Sequence, residues 1–197
     1  MPLSPPDSRQ AAHHRRIELH GYNRDDGLFD IEARLTDTKT YGFSTDDRGW
    51  VDQGEPLHGM SMRMTIDEDM MIVKFEAATD YSPYRICPEI APNYAKLAGI
   101  RVGPGFLRAA AERVGGIHGC THLREMLQQM GTVAFQTMYP ILAKRRQDHS
   151  GPGKPALLNT CYAYRADGPV VEKRWPDHFT GATPPSELSV VNAVETA

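Results

Sequence analysis

Apolar side chains recur at every second position between Arg16 and Ala78, then at every third or fourth position between Ile90 and Leu142. That change of period predicts an α+β fold. The strand patterns come first, in pairs joined by short turns, which gives an antiparallel meander sheet; the helical patterns follow, which places helices on one face of it. With 40% hydrophobic and 24% charged residues among 197, the chain can bury one good core.

Residues 1–13 are rich in Pro, Ser and polar groups and are expected to be disordered. From Arg16 to Tyr22 apolar and polar residues alternate, Asn23 to Gly27 supplies a turn, and Phe29, Ile31, Ala33 and Leu35 alternate again, as in a hairpin. A second hairpin follows: Met60, Met62, Met64 and Ile66 share a face, Asp67-Glu68-Asp69 turns, and Met71 to Ala78 returns. Beyond Pro88, Ile90, Tyr94 and Leu97, then Phe106, Leu107, Ala110 and Val114, suit two short helices broken at Gly99 to Gly105. From Thr121 a longer helix carries Leu123, Leu127, Met130, Ala134, Phe135, Met138 and Leu142, with Pro140 expected to kink or end it. Leu158 to Arg165, Asp167-Gly168 and Pro169 to Glu172 read as one more hairpin at the sheet edge. The organisation expected is therefore a single α+β domain over 14–175 and a flexible tail over 176–197.

A net charge of -3 offers no electrostatic footprint for nucleic acid. No apolar run approaches the roughly 18 residues of a membrane span, and Met1-Pro2-Leu3-Ser4-Pro5-Pro6-Asp7 lacks the charged head and apolar middle of a signal peptide. The protein is thus expected in the cytoplasm, without membrane or nucleic-acid partners; a homo-oligomer stays open. Three cysteines in a reducing compartment argue against a disulfide framework. Cys87, Cys120 and Cys161 read as ligands, a nucleophile or small core residues.

The run Gly115-Gly116-Ile117-His118-Gly119-Cys120-Thr121-His122 carries the chemistry, because a glycine-rich loop delivers soft ligands to the start of a helix. Partial positive charge and unpaired N–H groups there stabilise a thiolate, the form that binds metal or attacks an electrophile. The spacing is not that of a zinc finger, which pairs C-x2-C or H-x3-H. Cys120 is either such a ligand or nucleophile, or a small buried hydrophobe. His122 is a fourth ligand, an acid/base partner of Cys120, or a first-turn side chain bonded to backbone; His118 precedes Gly119 and can point away. Cys87 in Cys-Pro is a ligand or simply ends a strand and opens a helix. His58, in a Gly/Pro turn, is a ligand or a solvated imidazole. Asp37 and Lys39 form an exposed strand end or an ionic contact near the sheet edge. Arg63 faces away from the methionines, as a solvated cation or a carboxylate binder. Tyr81 and Tyr84 are core residues or the lining of a pocket over a metal.

Gly54-Glu55-Pro56-Leu57-His58-Gly59-Met60, an alternating strand, an acidic turn, a second strand, Cys87 at the mouth of a helix and Gly119-Cys120 at the start of another occur in that order. The order resembles iron-sulfur scaffold proteins of the IscU, NifU and SufU type, whose first motif reads G-x-P-x-C-G-D. The resemblance implies an IscU/NifU-like fold over about residues 50–145, with His58, Cys87 and Cys120 at the three ligand positions. His58 stands in place of a thiolate and Met60 in place of the aspartate, and fewer thiolates favour a mononuclear site over a transferable cluster. The chain also resembles a bacterial family, domain-of-unknown-function family 2889. Ala33-Arg34-Leu35-Thr36-Asp37-Thr38-Lys39, the 54–60 segment, Pro83-Tyr84-Arg85-Ile86-Cys87-Pro88 and Gly119-Cys120-Thr121-His122-Leu123 carry that likeness, which implies no activity.

These observations combine into an expected metalloprotein. Its site is His58, Cys87 and Cys120, with His122 as fourth ligand or proton-transfer group, around zinc or iron with one open position. The expected substrate is a small, aromatic or carboxylated metabolite, with Tyr84 beside it and Arg63 or Lys39 as anion anchor. Hydrolysis, decarboxylation and lyase chemistry are all compatible. An iron-sulfur or sulfur-transfer scaffold and a metal-free enzyme with Cys120 as nucleophile are the alternatives, and a binding module with inert cysteines is the third.

Overall fold

The structure, a computed structural model, describes residues 3–148 and 155–181, so the tail expected over 176–197 lies from 182 onward outside the described residues. The chain forms two compact units, Met1–Arg145 and Arg146–Ala197, whose boundary falls inside the span 14–175 read as one domain. In the first unit His13 already opens strand β1 (His13–Asn23), which pairs with β2 (Phe29–Lys39) over its whole length. After a short two-stranded ribbon, β3 (Phe43–Thr45) and β4 (Gly49–Val51), come β5 (Pro56–Ile66) and β6 (Ile72–Tyr81). The main sheet is antiparallel in the order β1-β2-β5-β6, and the helices follow it in sequence, as an α+β chain requires. The ribbon has no counterpart in the expected meander, because three-residue strands are too short to show a period.

Alternation sorts the sheet into two faces. On one, Phe29, Ile31, Ala33 and Leu35 of β2 and Met60, Met62, Met64 and Ile66 of β5 are each at most 6% exposed. On the other, Glu18, His20, Glu32, Arg34, Arg63 and Glu76 line an open, charged depression. Helix α1 (Phe106–Val114) buries Phe106, Ala110 and Val114. Helix α2 (Thr121–Asp148) lays Leu123, Met126, Leu127, Met130, Ala134 and Met138 into the same core. Its 28 residues span about 42 Å, close to the roughly 37 Å of an 11-residue strand, so it can run the length of the sheet. Strand and helix approach closely at Gly21, where an added Cβ would sit 1.9 Å from Thr137 Oγ1. No helix among the described residues is long and apolar enough to cross a membrane.

Three elements differ from the sequence reading. Cys87–Leu97 winds as a 3-10 segment, not an α-helix. Its buried residues Ala91, Tyr94 and Leu97 are three apart, and Pro88 and Pro92 lack the N–H groups an α-helical ladder needs. Helix α2 does not end at Pro140, one of the two outcomes expected there, but runs on to Asp148. The core contacts of Met138 before the proline and of Ile141 and Leu142 after it offset the roughly 3 kcal/mol that an interior proline costs. The late hairpin does not form. Tyr162–Tyr164 is a 3-10 turn and Pro169–Arg174 is helix α3, because Gly168-Pro169 places proline at the first helical turn, where its missing N–H costs nothing.

Candidate functional site

At one end of the sheet the apolar stripes of the covered face give way to polar residues in the same register. Along β2 the stripe Phe29, Ile31, Ala33, Leu35 ends in Asp37; along β1 Leu19 and Ile17 lead to Arg15 and His13; along β5 the methionines lead to His58. Arg15 lies opposite Asp37, and Asp37 opposite His58, one row across three strands. Asp37 is 1% exposed.

Such a carboxylate must be paired. Arg15 donates from Nε to Oδ1 and from Nη2 to Oδ2, each at 2.8 Å. His58 Nδ1 lies 3.1 Å from Oδ2, and His13 Nε2 lies 3.3 Å from Oδ1. Burial pushes the Asp37 carboxyl up, but the Arg15 fork, the charge of Arg15 and the nearby His58 and His13 together outweigh it and hold the group below the ordinary carboxylate value. Burial, with His122 nearby, holds the His58 imidazole below its ordinary value against the pull of Asp37.

The start of α2 covers this row. Buried Tyr94 fixes it: its Oη donates to the Cys120 carbonyl at 2.9 Å and accepts from the Cys120 N–H at 3.1 Å. Burial pushes the Tyr94 hydroxyl up to about 12, so it stays a donor. Gly119 is needed because a Cβ there would lie 1.9 Å from the Val114 carbonyl oxygen. With the backbone so held, the His122 ring lies 4.0 Å from that of His58, centroid to centroid, and its Nδ1 is 3.8 Å from Cys120 Sγ. Arg15 Nη1 reaches Glu125 Oε2 at 2.6 Å, so one guanidinium joins β1, Asp37 and the helix. An open depression of about 540 Å³ lined by Arg15, Thr121, His122 and Glu125 among others leads to this point from outside.

Asp37, His58 and His122 each offer a ligand atom within 4.8 Å of the others. Two imidazoles and a carboxylate suit zinc or iron. The 3.1 Å between His58 Nδ1 and Asp37 Oδ2 matches the edge of a coordination sphere with ligands at about 2.0–2.1 Å, roughly 3.3 Å for a tetrahedron. Arg15 uses two of the roughly four lone-pair sites of the carboxylate, and the Oδ2 site facing His58 is the one a metal would take.

The sequence-predicted residues separate accordingly. His58 and His122 meet, Cys120 stands beside His122, and Asp37, read as a strand end or ionic contact, is the buried centre. Cys87 opens the 3-10 segment, half-buried, and is outside the converging group, so the expected set His58, Cys87 and Cys120 is not the one brought together. The reason is that the 3-10 segment is placed by Ala91, Tyr94 and Leu97 and not by Cys87. Arg63 is on the open face, bound to Glu32 at 2.8 Å, and Tyr84 is 52% exposed in the loop before Cys87. The run His13-His14-Arg15-Arg16 reads in the sequence as a solvated basic start, whereas the structure sets His13 and Arg15 on Asp37; Glu125 carries no signal in the sequence. The available signal was register: an acid continuing the stripe of β2 needs a cation on its neighbour.

Among curated proteins and among solved structures, none matches the chain, so the likeness to iron-sulfur scaffolds gains no support from them. Residues 13–136, which include His13, Arg15, Asp37, His58 and His122, match the family model described as "Protein of unknown function (DUF2889)", and the chain belongs to that family.

Proposed function

We propose that this protein is a cytoplasmic metal-dependent enzyme in which Asp37, His58 and His122 hold one zinc or iron ion beside a small-molecule substrate. The observation that carries the reading is the convergence of these side chains, from two strands and a helix, around buried Asp37 at one end of the sheet. A bound ion there would supply a Lewis acid for hydrolysis, decarboxylation or lyase chemistry on a carbonyl or carboxylate. The chain does the rest. His58, held below its ordinary value, presents an unprotonated nitrogen at neutral pH. Arg15 keeps Asp37 ionised and fixes the plane of its carboxylate. Cys120 beside Nδ1 orients the His122 ring and leaves Nε2 as the donor, the outer support that metal-bound imidazoles use.

Elemental analysis of the full chain, with zinc and cobalt titrations after chelation, tests this. About one ion per chain is expected. Asp37→Ala, His58→Ala and His122→Ala should each lose it, and Cys87→Ser should keep it. Failure to bind either ion, or equal loss in Cys87→Ser, overturns the reading.

A second reading rests on the Arg15 fork that already engages Asp37 and on the 3.8 Å between Cys120 and His122. It is metal-free: Asp37 orients His58, and His122 activates Cys120 as a nucleophile. Fast alkylation of Cys120 in chelated protein, slowed in His122→Asn, would favour it. A cluster scaffold would need Cys87 at the same centre, and brown colour with acid-labile sulfide would be its mark.

A further inference from the structure

We propose that Lys39, Tyr41 and Phe43 form the recognition lip of this site and bind a small aromatic carboxylate, its carboxylate on the Lys39 ammonium and its ring against the two aromatic side chains. The inference rests on reading the Asp37 group as the active site and names the substrate class that group would receive.

Lys39 follows Asp37 by two residues on β2, which puts both on the same face of the strand. It pairs in register with His13, whose Nε2 touches Asp37. The lip therefore adjoins the buried carboxylate, at the open end of the row. The ammonium lies 5.4 Å from the centroid of the Tyr41 ring and 5.7 Å from that of Phe43. The rings themselves meet edge to face, 6.1 Å apart.

Lys39, like Arg124 in the depression beside His122, forms no ion pair among the described residues, and of the two it is Lys39 that stands against aromatic rings. Arg15, Arg48 and Arg85 each pair with a carboxylate, whereas Lys39 has no acidic partner among the described residues. An ammonium has three donors, and aromatic faces hold its charge while leaving donors unfilled. A carboxylate is the acceptor that fills them best.

The apolar part of the lip points to a flat ligand. Tyr41 is 49% exposed and Trp50 64% exposed. Trp50 lies so close against Gly42 that a Cβ there would be 2.5 Å from the indole, and its Nε1 donates to Asp52 at 2.8 Å. The open face of Tyr41 beside the Lys39 ammonium is what an aromatic anion would cover, by offset stacking on the ring. An aliphatic acid would satisfy the lysine but not the rings. An aromatic amine would stack but meet the wrong charge.

Calorimetric titration of benzoate into the full chain, once zinc-loaded and once chelated, tests the proposal, with acetate and benzylamine as the controls. Benzoate should bind in both forms, and acetate and benzylamine should bind far more weakly. Lys39→Met should weaken benzoate on the order of tenfold, the value of one charge-assisted contact. Lys39→Glu should reverse the preference to benzylammonium, and Tyr41→Ala should weaken whichever aromatic ligand each background binds. Circular dichroism of each variant confirms that the fold persists. Benzoate that fails to bind, or that binds Lys39→Met as tightly as the parent, overturns the lip. Lys39-dependent binding in a chain that takes up no metal would keep the lip and remove the metal reading; metal uptake with Lys39-independent benzoate would do the reverse.

Discussion

Replacing Arg15 with methionine keeps most of the side-chain stem and removes the cation from a carboxylate that is 1% exposed. Asp37 then loses two hydrogen bonds of 2.8 Å. Stripping one partner from a fully buried pair costs about 3–5 kcal/mol. Here Arg15 is itself 33% exposed, and His58 and His13 stay in contact with Asp37, so about 2–3 kcal/mol is expected at pH 7.5. Release of Glu125, which is 58% exposed, adds less than about 1 kcal/mol. The pH dependence separates this cause from lost packing. In the parent the folded Asp37 carboxyl lies below its ordinary 3.8, so its contribution is present above 3.8 and is lost as pH falls through the folded value. Without Arg15, burial dominates and lifts the folded carboxyl above 3.8; protonation then relieves the folded state, and the deficit of the variant shrinks as pH falls. Urea unfolding of chelated protein at pH 7.5 and 4.5 reads both effects. The double variant Arg15→Met/Asp37→Leu should be more stable than Arg15→Met alone, because no buried charge is left unpaired. A deficit below about 0.5 kcal/mol, or one of several kcal/mol that does not change with pH, would refute the assignment of Arg15 as the partner that keeps Asp37 charged.

The two long hairpins were legible because alternation is a local property: Phe29 to Leu35 and Met60 to Ile66 each show their face without reference to any partner. The same alternation carries on into Asp37 and His58, where it no longer looks like core, since a buried acid makes sense only once Arg15 stands beside it across β1. That pairing joins positions 22 residues apart and depends on the register of a hairpin, which the local pattern does not print. His122, which lies against His58, was singled out by a different signal, the helix start at Thr121. Its meeting with His58 depends on how α2 lies over the sheet, set by Tyr94 on the Cys120 backbone and by Gly119 against Val114. The place of Cys87 outside the converging side chains was not legible for a related reason: the segment it opens follows a period of three, which Pro88 and Pro92 impose and a helical template does not capture.

His58 gives a second pH signature. Its folded value is held below 6.5 by burial, so it contributes stability above 6.5 that is lost as pH falls through the folded value. The melting temperature of chelated protein should fall between pH 7 and 5, and His58→Gln should flatten that slope; an unchanged slope would place the imidazole in water. The placement of α2, and with it His122, is tested at Gly21. A Cβ there would lie 1.9 Å from Thr137 Oγ1 and 3.1 Å from Thr137 Cβ. The hydroxyl cannot simply swing clear, because it donates to the Val133 carbonyl at 2.9 Å and sits on a β-branched side chain inside a helix. Gly21→Ala should therefore destabilise by about 1–3 kcal/mol through overpacking, against the small gain that alanine gives elsewhere in a strand. Thr137→Ala removes Oγ1 and Cγ2, leaving only Cβ at 3.1 Å, and raises helix propensity, so alone it should change little, and combined with Gly21→Ala it should restore most of the loss. Stability measured for the four proteins of this cycle decides the point. A Gly21→Ala chain as stable as the parent, or a double variant showing the plain sum of the singles, would mean that α2 does not cross β1 at Gly21, and the helix would no longer be fixed in the position that brings His122 to His58.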